Sequence, residues 1–272
     1  MECLICKNKS VPFLTKRTFK IGYKDIVKDI EEFNYYKCTN CGFTISKTHV
    51  DMSTEVWLKL NDNFHHFIEN NHAPINQPPY LEQAMIINLL NVSGILPFVN
   101  ALDYAGGYGT LSLILKDYYG LKLPVYDPYI NGENVAVDYI QKENLEKYGI
   151  VFNSALFEHL YRRELFDEIN NLVKEDGCMI LHTLVCENIP ADSNWFYMEP
   201  PVHCAFHTNK SMNILMDQWG YISSIYSPAA KIWILFKKEP EELLKKITEL
   251  NCVFQKEIFF YKEGFVDYWK GF

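Results

Sequence analysis

The chain lacks a long apolar run and has no surplus of positive charge. Its longest stretch without a charged residue, Gln83 to Leu102, is broken by Asn88, Asn91, Ser93, Gly94, Pro97 and Asn100, so nothing reads as a membrane span. The opening MECLICKNKS has no apolar leader core, and a soluble cytoplasmic protein without export signal is expected. Lys and Arg number 26 against 34 Asp and Glu, a net charge of −8. That balance argues against a whole-surface nucleic-acid binder, because neutralising phosphates needs a contiguous excess of cations. Internal repeats and low-complexity tracts are missing too. What is there is 272 residues, 48% hydrophobic and 22% charged, which excludes disorder and suffices for one large domain plus a small appendage.

Acidic residues are missing from one stretch in particular. Between Glu2 and Asp25 the only charges are Lys7, Lys9, Lys16, Arg17, Lys20 and Lys24. This reads as a solvated hairpin face or, more sharply, as a landing strip for an anionic substrate or for RNA.

Eight cysteines in a cytosolic chain are expected to be thiols, so spacing matters more than number. Cys3-x2-Cys6 and Cys38-x2-Cys41 form two pairs, and each pair can turn two thiolates toward one point. Two such turns give four sulfurs in a tetrahedron, the arrangement of a structural Zn²⁺. Gly42, directly after Cys41, suits a turn of positive φ behind the second ligand. A redox pair would need one CxxC beside a βαβ unit, and disulfides would need an oxidising compartment. The 31 residues between the pairs require an inserted helix or long hairpin. Cys178, Cys186, Cys204 and Cys252 share no such spacing and read as core fillers.

A helix is expected from Ser53, with Val56, Trp57, Leu60, Phe64, Phe67 and Ile68 at helical spacing. Its His65, His66 and His72 read as surface or packing residues. Pro78-Pro79 opens a second helix over 80–92, closed by Gly94. From Asn100 short apolar runs alternate with amphipathic segments, the pattern of βαβ units. Strands are expected at 101–105, 124–127, 135–137, 149–153, 178–184, 221–226 and 231–236. Helices are expected at 110–119, 162–175 and 209–219, and the last two strands should form an antiparallel hairpin at the sheet edge. The reading divides the chain into a zinc-binding module (1–52), a helical linker or cap (53–99), a Rossmann-like α/β core (100–238) and a C-terminal extension (239–272), helical and then irregular.

The chemistry resides in Leu102-Asp103-Tyr104-Ala105-Gly106-Gly107-Tyr108-Gly109-Thr110, between the first strand and first helix of the core. A glycine-rich turn there lets main chain approach a nucleotide-like ligand. Asp127 lies eighteen residues past Gly109, at the end of the next strand, where a carboxylate can accept both hydroxyls of a ribose. A dinucleotide fingerprint would need glycine where Ser112 stands.

With Asp103 ahead of the glycines, the string resembles the Asp-x-Gly-x-Gly-x-Gly loop of class I S-adenosylmethionine-dependent methyltransferases. It matches at Asp103, Gly107 and Gly109, with Ala105 in place of the first glycine. VFNSALFEHL resembles that family's fourth-strand motif, LVKEDGCMILHT its fifth strand, and PPVHCAFHTNKSMNILMDQWGY its His-bearing loop, helix and sixth strand. The paired CxxC module resembles the zinc-bearing methyltransferases that modify nucleotide-linked sugars. The resemblance spans about residues 100 to 237, half the chain.

That resemblance implies a class I methyltransferase sheet binding S-adenosylmethionine through Asp103, Ala105, Gly106, Gly107, Gly109, Asp127 and Asn153, with Cys3, Cys6, Cys38 and Cys41 on zinc. Methyl transfer from a sulfonium chiefly needs alignment and exclusion of water, and a base where the acceptor is a hydroxyl or carbon acid. His159 and His203, beside Glu158, are the candidates for substrate contact or proton transfer, and each has a packing role as its competitor. His207 is a further candidate, with capping of the next helix as its competitor. Trp195, Phe196, Tyr197 and Tyr108 read as an aromatic wall or as lid packing. The expected acceptor is a small phosphate- or nucleotide-bearing molecule, such as a nucleotide-linked sugar or another capsule-polysaccharide precursor. An RNA methyltransferase is the second reading, and a non-catalytic binding protein the third.

Overall fold

A computed structural model describes residues 1–70, 78–130 and 136–267. In chain order the elements are β1 (Ser10–Lys16), β2 (Phe33–Cys38), β3 (Thr44–Ser46), α1 (Lys47–Asp51), α2 (Thr54–Asn70), α3 (Tyr80–Val92), β4 (Ala101–Tyr104), α4 (Thr110–Tyr119), β5 (Val125–Tyr126) and β6 (Tyr148–Ser154). They continue with α5 (Arg163–Asn171), β7 (Val173–His182), β8 (Val185–Cys186), β9 (Ala205–Thr208), α6 (Asn209–Trp219), β10 (Ser223–Ser227), β11 (Ile232–Phe236), α7 (Leu243–Phe254) and β12 (Phe260–Glu263). Two compact units result, and neither is contiguous. One comprises Met1–Ile75, Phe157–Phe166 and Leu184–Leu215; the other Asn76–Leu156, Asp167–Thr183 and Met216–Phe272.

The first unit is built on a five-stranded sheet of order β1-β2-β3-β9-β8. The residues between the cysteine pairs form a long antiparallel hairpin, with Ser10 opposite Cys38 and Lys16 opposite Phe33. Strand β9 joins it from far along the chain, placing Phe206 opposite Thr44 and Ala205 opposite Ile45. In the sequence this segment reads as a loop, because all four residues of β9 are buried and no in–out alternation marks a strand.

The second unit carries a seven-stranded sheet of order β12-β10-β11-β7-β6-β4-β5. Strands β5, β4, β6 and β7 run parallel, while β11 lies antiparallel between β7 and β10. This is the expected α/β architecture, a largely parallel Rossmann-like sheet. Alternate side chains point to one core: Ile150 and Phe152 on β6, Cys178 and Ile180 on β7, Ile232, Ile234 and Phe236 on β11. Leu90 of α3, Leu115 of α4 and Ile247 of α7 pack into the same cluster. The glycine turn is thereby held at the carboxyl end of β4, where ligands of such sheets bind.

Three expectations change. The hairpin β10–β11 is not the edge, because β12 of the C-terminal extension pairs with β10, setting Tyr261 opposite Ile225. The helix expected over 162–175 stops at Asn171, and Val173 already pairs with Tyr148 as the start of β7. The short strand expected over 135–137 is absent among the described residues; Val135 lies outside them, and the bridge to Val125 is made by Tyr139. Val137 packs against Gly109 instead. His72 lies outside the described residues, as does the side chain of Ile68. Among the described residues no helix is long and apolar enough to cross a membrane.

Candidate functional site

The turn between β4 and α4 is defined by three residues of positive φ: Ala105 at 59°, Gly107 at 55° and Gly109 at 72°. Ala105, standing where the resembled motif has glycine, adopts the same hand at a cost of about 1–2 kcal/mol. Space enforces glycine at two other positions. A Cβ on Gly109 would lie 2.6 Å from a methyl of Val137, and one on Gly106 would lie 2.5 Å from Oδ2 of Asp103. Over Gly107 a Cβ would meet nothing within 4 Å, so the turn presents bare main chain to open space there.

Asp127 clamps this turn. Its Oδ2 accepts from the N–H of Gly107 at 2.9 Å, and its Oδ1 from the N–H groups of Tyr129 at 2.8 Å and Ile130 at 3.1 Å. A carboxylate has about four lone-pair directions, so three backbone donors leave room for one more. Sequence reading placed Asp127 at the right strand end and missed its bonds to the turn. A recess of about 260 Å³ opens beside it, lined by Tyr126, Pro128, Ile130, Tyr139 and Ile140. A larger one of about 430 Å³ lies toward the amino ends of β4, β5 and β6, around Ala101, Pro124 and Tyr148, and includes no residue of the turn.

Behind the turn, three buried side-chain oxygens have no hydrogen-bond partner among the described residues: Oδ1 of Asp103, Oδ1 of Asn153 and Oε1 of Gln83. Asp103 sits opposite Phe152 across β4 and β6, which puts Asn153 one residue beyond. Gln83 reaches the same strand end, donating from Nε2 to Ser154 Oγ at 3.4 Å. Burial first, and the charge of Asp127 second, push the carboxyl of Asp103 up to about 8. Side chains alternate along β6, so Asp103 and Gln83 share the face of Phe152 and Ser154 while Asn153 lies on the other face; an unpaired buried acceptor is costly, and each of these oxygens calls for a donor that the described residues do not supply. Gln83 was not foreseen, since a lone Gln on a helix carries no sequence signal.

In the first unit the four sulfurs of Cys3, Cys6, Cys38 and Cys41 lie within 4.8 Å of one another. Cys3 and Cys41 approach to 3.7 Å and Cys6 and Cys38 to 3.4 Å, all as free thiols. The two turns are near copies. The N–H of Lys7 donates to Cys3 O and that of Gly42 to Cys38 O, both at 3.1 Å, and both residues have positive φ, 61° and 74°. The glycine was legible in the sequence; a left-handed lysine was not. The N–H groups of Asn40 and Cys41 point at Cys38 Sγ at 3.4 and 3.5 Å. A hydrogen bond from Cys41, which outweighs burial, draws Cys3 toward thiolate, down to about 5.

Glu158, His159 and His203 also come together in the first unit, their ligating atoms within 4.8 Å of one another. Tyr197 organises them: its hydroxyl donates to Glu158 Oε1 at 2.7 Å and accepts from the N–H of Leu184 at 3.0 Å. Its carbonyl oxygen is 2.8 Å from Nδ1 of His203. A carbonyl can only accept, so Nδ1 carries the proton and Nε2 the lone pair. Desolvation lowers both imidazoles, His203 to about 4 and His159 well below the usual range, so each is neutral at pH 7. His207 is not in this group and is not a helix cap. It is fully buried between Phe43, Phe157 and Phe166, at ring distances of 5.0, 5.7 and 5.5 Å.

No protein-family model matches the sequence, and no curated protein does. Among solved structures, the chain is similar to the 1,6-didemethyltoxoflavin-N1-methyltransferase of Burkholderia thailandensis, bound to 1,6-didemethyltoxoflavin and S-adenosylhomocysteine, at 12% identity and a TM-score of 0.48 over 74% of this chain and 98% of that one. It is likewise similar to the plantazolicin methyltransferase BpumL, in complex with a desmethyl-plantazolicin analogue and S-adenosylhomocysteine, at 12% identity and a TM-score of 0.47 over 76% and 91%. A further likeness is to an O-methyltransferase family protein from Burkholderia thailandensis, at 16% identity and a TM-score of 0.45 over 72% and 63%.

Proposed function

We propose that the protein is a cytoplasmic S-adenosylmethionine-dependent methyltransferase acting on a small anionic acceptor. The observation that carries this is the unpartnered buried oxygen of Asp103, at the end of β4 where the glycine turn begins. A dinucleotide would bring a pyrophosphate to this turn, where the acid of Asp127 repels it. A cationic amino-acid end suits it, because an ammonium offers three donors and no acceptor. S-adenosylmethionine, when bound, supplies an activated methyl group on a sulfonium. Asp103, with Gln83 on the same face, would hold the ammonium, and Asp127 the ribose. The bare main chain of Gly107, with Ala105, Gly106 and Gly109 shaping the turn, would receive the body of the nucleoside.

For the acceptor, Glu158, His159 and His203 are the groups fit to take a proton. Both imidazoles are neutral, and Nε2 of His203 presents its lone pair. The acceptor class is a nucleotide-linked sugar or another surface-polysaccharide precursor. Its support is the cysteine module, whose 3.4 and 3.7 Å sulfur contacts suit the tetrahedral edge of about 3.8 Å set by Zn–S bonds of about 2.3 Å. Cys3, Cys6, Cys38 and Cys41 would therefore hold a structural Zn²⁺. A small acceptor is favoured over RNA because the basic stretch is partly neutralised: Lys16 is buried against Glu199 at 3.0 Å, Arg17 pairs with Glu32 at 2.7 Å and Lys7 with Glu2 at 3.6 Å. Incubation with labelled S-adenosylmethionine and a panel of nucleotide-linked sugars tests the reading. Label in a sugar supports it, and label found only in RNA overturns it.

A further inference from the structure

The histidines of the first unit are concentrated to a degree that a single proton acceptor does not require. Around His159 the rings of His203 and His65 lie at 5.0 and 6.4 Å. His49 is accounted for separately: Nδ1 meets Ser46 Oγ at 2.7 Å and Nε2 meets Pro201 O at 2.9 Å, so both its nitrogens serve the fold. His159 and His203, with the carboxylate of Glu158, offer three ligating atoms within 4.8 Å of one another.

We infer that Glu158, His159 and His203 form a binding site for a divalent transition-metal ion, separate from the four-cysteine cluster. Three features support a cation here. Glu158 is almost fully buried, at 2% exposure, so its carboxylate faces protein and not solvent. His203 has its Nδ1–H on the carbonyl of Tyr197, the outer bond that metal-bound imidazoles characteristically make, and this aims the Nε2 lone pair as a ligand. Glu158 is oriented by the hydroxyl of the same tyrosine, itself fixed by the N–H of Leu184. Two imidazoles and one carboxylate are a donor set suited to Zn²⁺ and its first-row neighbours. Three protein ligands leave the fourth tetrahedral position open. Ligands at about 2.0–2.2 Å from an ion stand about 3.4 Å apart, so the side chains close slightly on binding.

An ion here and an acceptor's proton need the same lone pairs, so Zn²⁺ at this site inhibits methyl transfer; only that consequence rests on the methyltransferase reading. Occupancy does not, and it is read directly. The full-length protein is titrated with Zn²⁺ and, in parallel, with Co²⁺, and bound metal is counted. The wild type is expected to take up two equivalents, the first with the strong thiolate-to-cobalt absorption of the cysteine cluster, the second with ligand-field bands alone. Glu158→Gln and His203→Asn are expected to keep the first equivalent, which shows that the cysteine module is folded, and to lose the second. Tyr197→Phe, which removes only the outer hydroxyl, is expected to weaken the second site by about 10–100-fold. Saturation of the wild type at one equivalent overturns the inference, as does a second equivalent that persists in both ligand variants.

Discussion

The N–H of Gly107 donates to Oδ2 of Asp127 at 2.9 Å, so the acid at the end of β5 fixes the turn that follows β4. Asp127 thus has two tasks: it shapes the turn, and it would grip the ribose. Asp127→Ala removes a charge-assisted hydrogen bond of about 1.5–3 kcal/mol, roughly 10- to 150-fold in affinity. Titration calorimetry with S-adenosylhomocysteine is expected to show that loss, and unchanged affinity would discredit the assignment.

With the ammonium placed as proposed, Asp103 makes donor binding depend on pH. Its carboxyl is raised from 3.8 to about 8, so the free folded protein binds a proton that the unfolded chain has released. The stability this protonation confers is fully present below about pH 4 and is lost as pH rises through about 8. An ammonium beside Asp103 favours the carboxylate and expels that proton. Affinity for S-adenosylhomocysteine is therefore expected to rise between pH 6 and about 8 more steeply in the wild type than in Asp103→Asn. Parallel profiles for the two proteins would contradict the placement of the ammonium.

Gly109→Ala is expected to destabilise the second unit through two additive causes. A left-handed alanine costs about 1–2 kcal/mol, and displacing Val137 from a 2.6 Å contact costs about 1–3 kcal/mol more. A fall in the denaturant midpoint checks this. Gly94, at a φ of 65°, is also left-handed and has no neighbour within 4 Å, so Gly94→Ala should show the backbone cost alone.

The cysteine cluster is tested by Cys38→Ser. One thiolate fewer should lower zinc content and unfold the first unit at lower temperature, with the zinc count and the melting curve moving together. A variant with full zinc content and an unchanged melt would remove the four-thiolate site.

Local signals carried much of this architecture. Pro78-Pro79, the amphipathic segment 110–119 and that from Asn209 to Trp219 marked α3, α4 and α6 with the bounds observed, because caps and helical periodicity are properties of neighbouring residues. The cysteine spacing likewise announced the sulfur cluster. Long-range pairing was illegible. Nothing near Ala205 says that it will face Ile45, and nothing near Tyr261 says that it will cover Ile225. The site divides in the same way. Asp103 and the glycines stood in one readable string and Asp127 at the end of the next expected strand, whereas Gln83 and the role of Tyr197 depend on partners remote in sequence, Ser154 and Glu158.

The most direct measurement is calorimetric titration of the wild-type protein with S-adenosylhomocysteine, with NAD as the parallel ligand. One saturable equivalent of the sulfur nucleoside, weakened in Asp127→Ala, and no heat from NAD is the predicted result. Saturable binding of NAD, or no binding of the sulfur nucleoside, would contradict it.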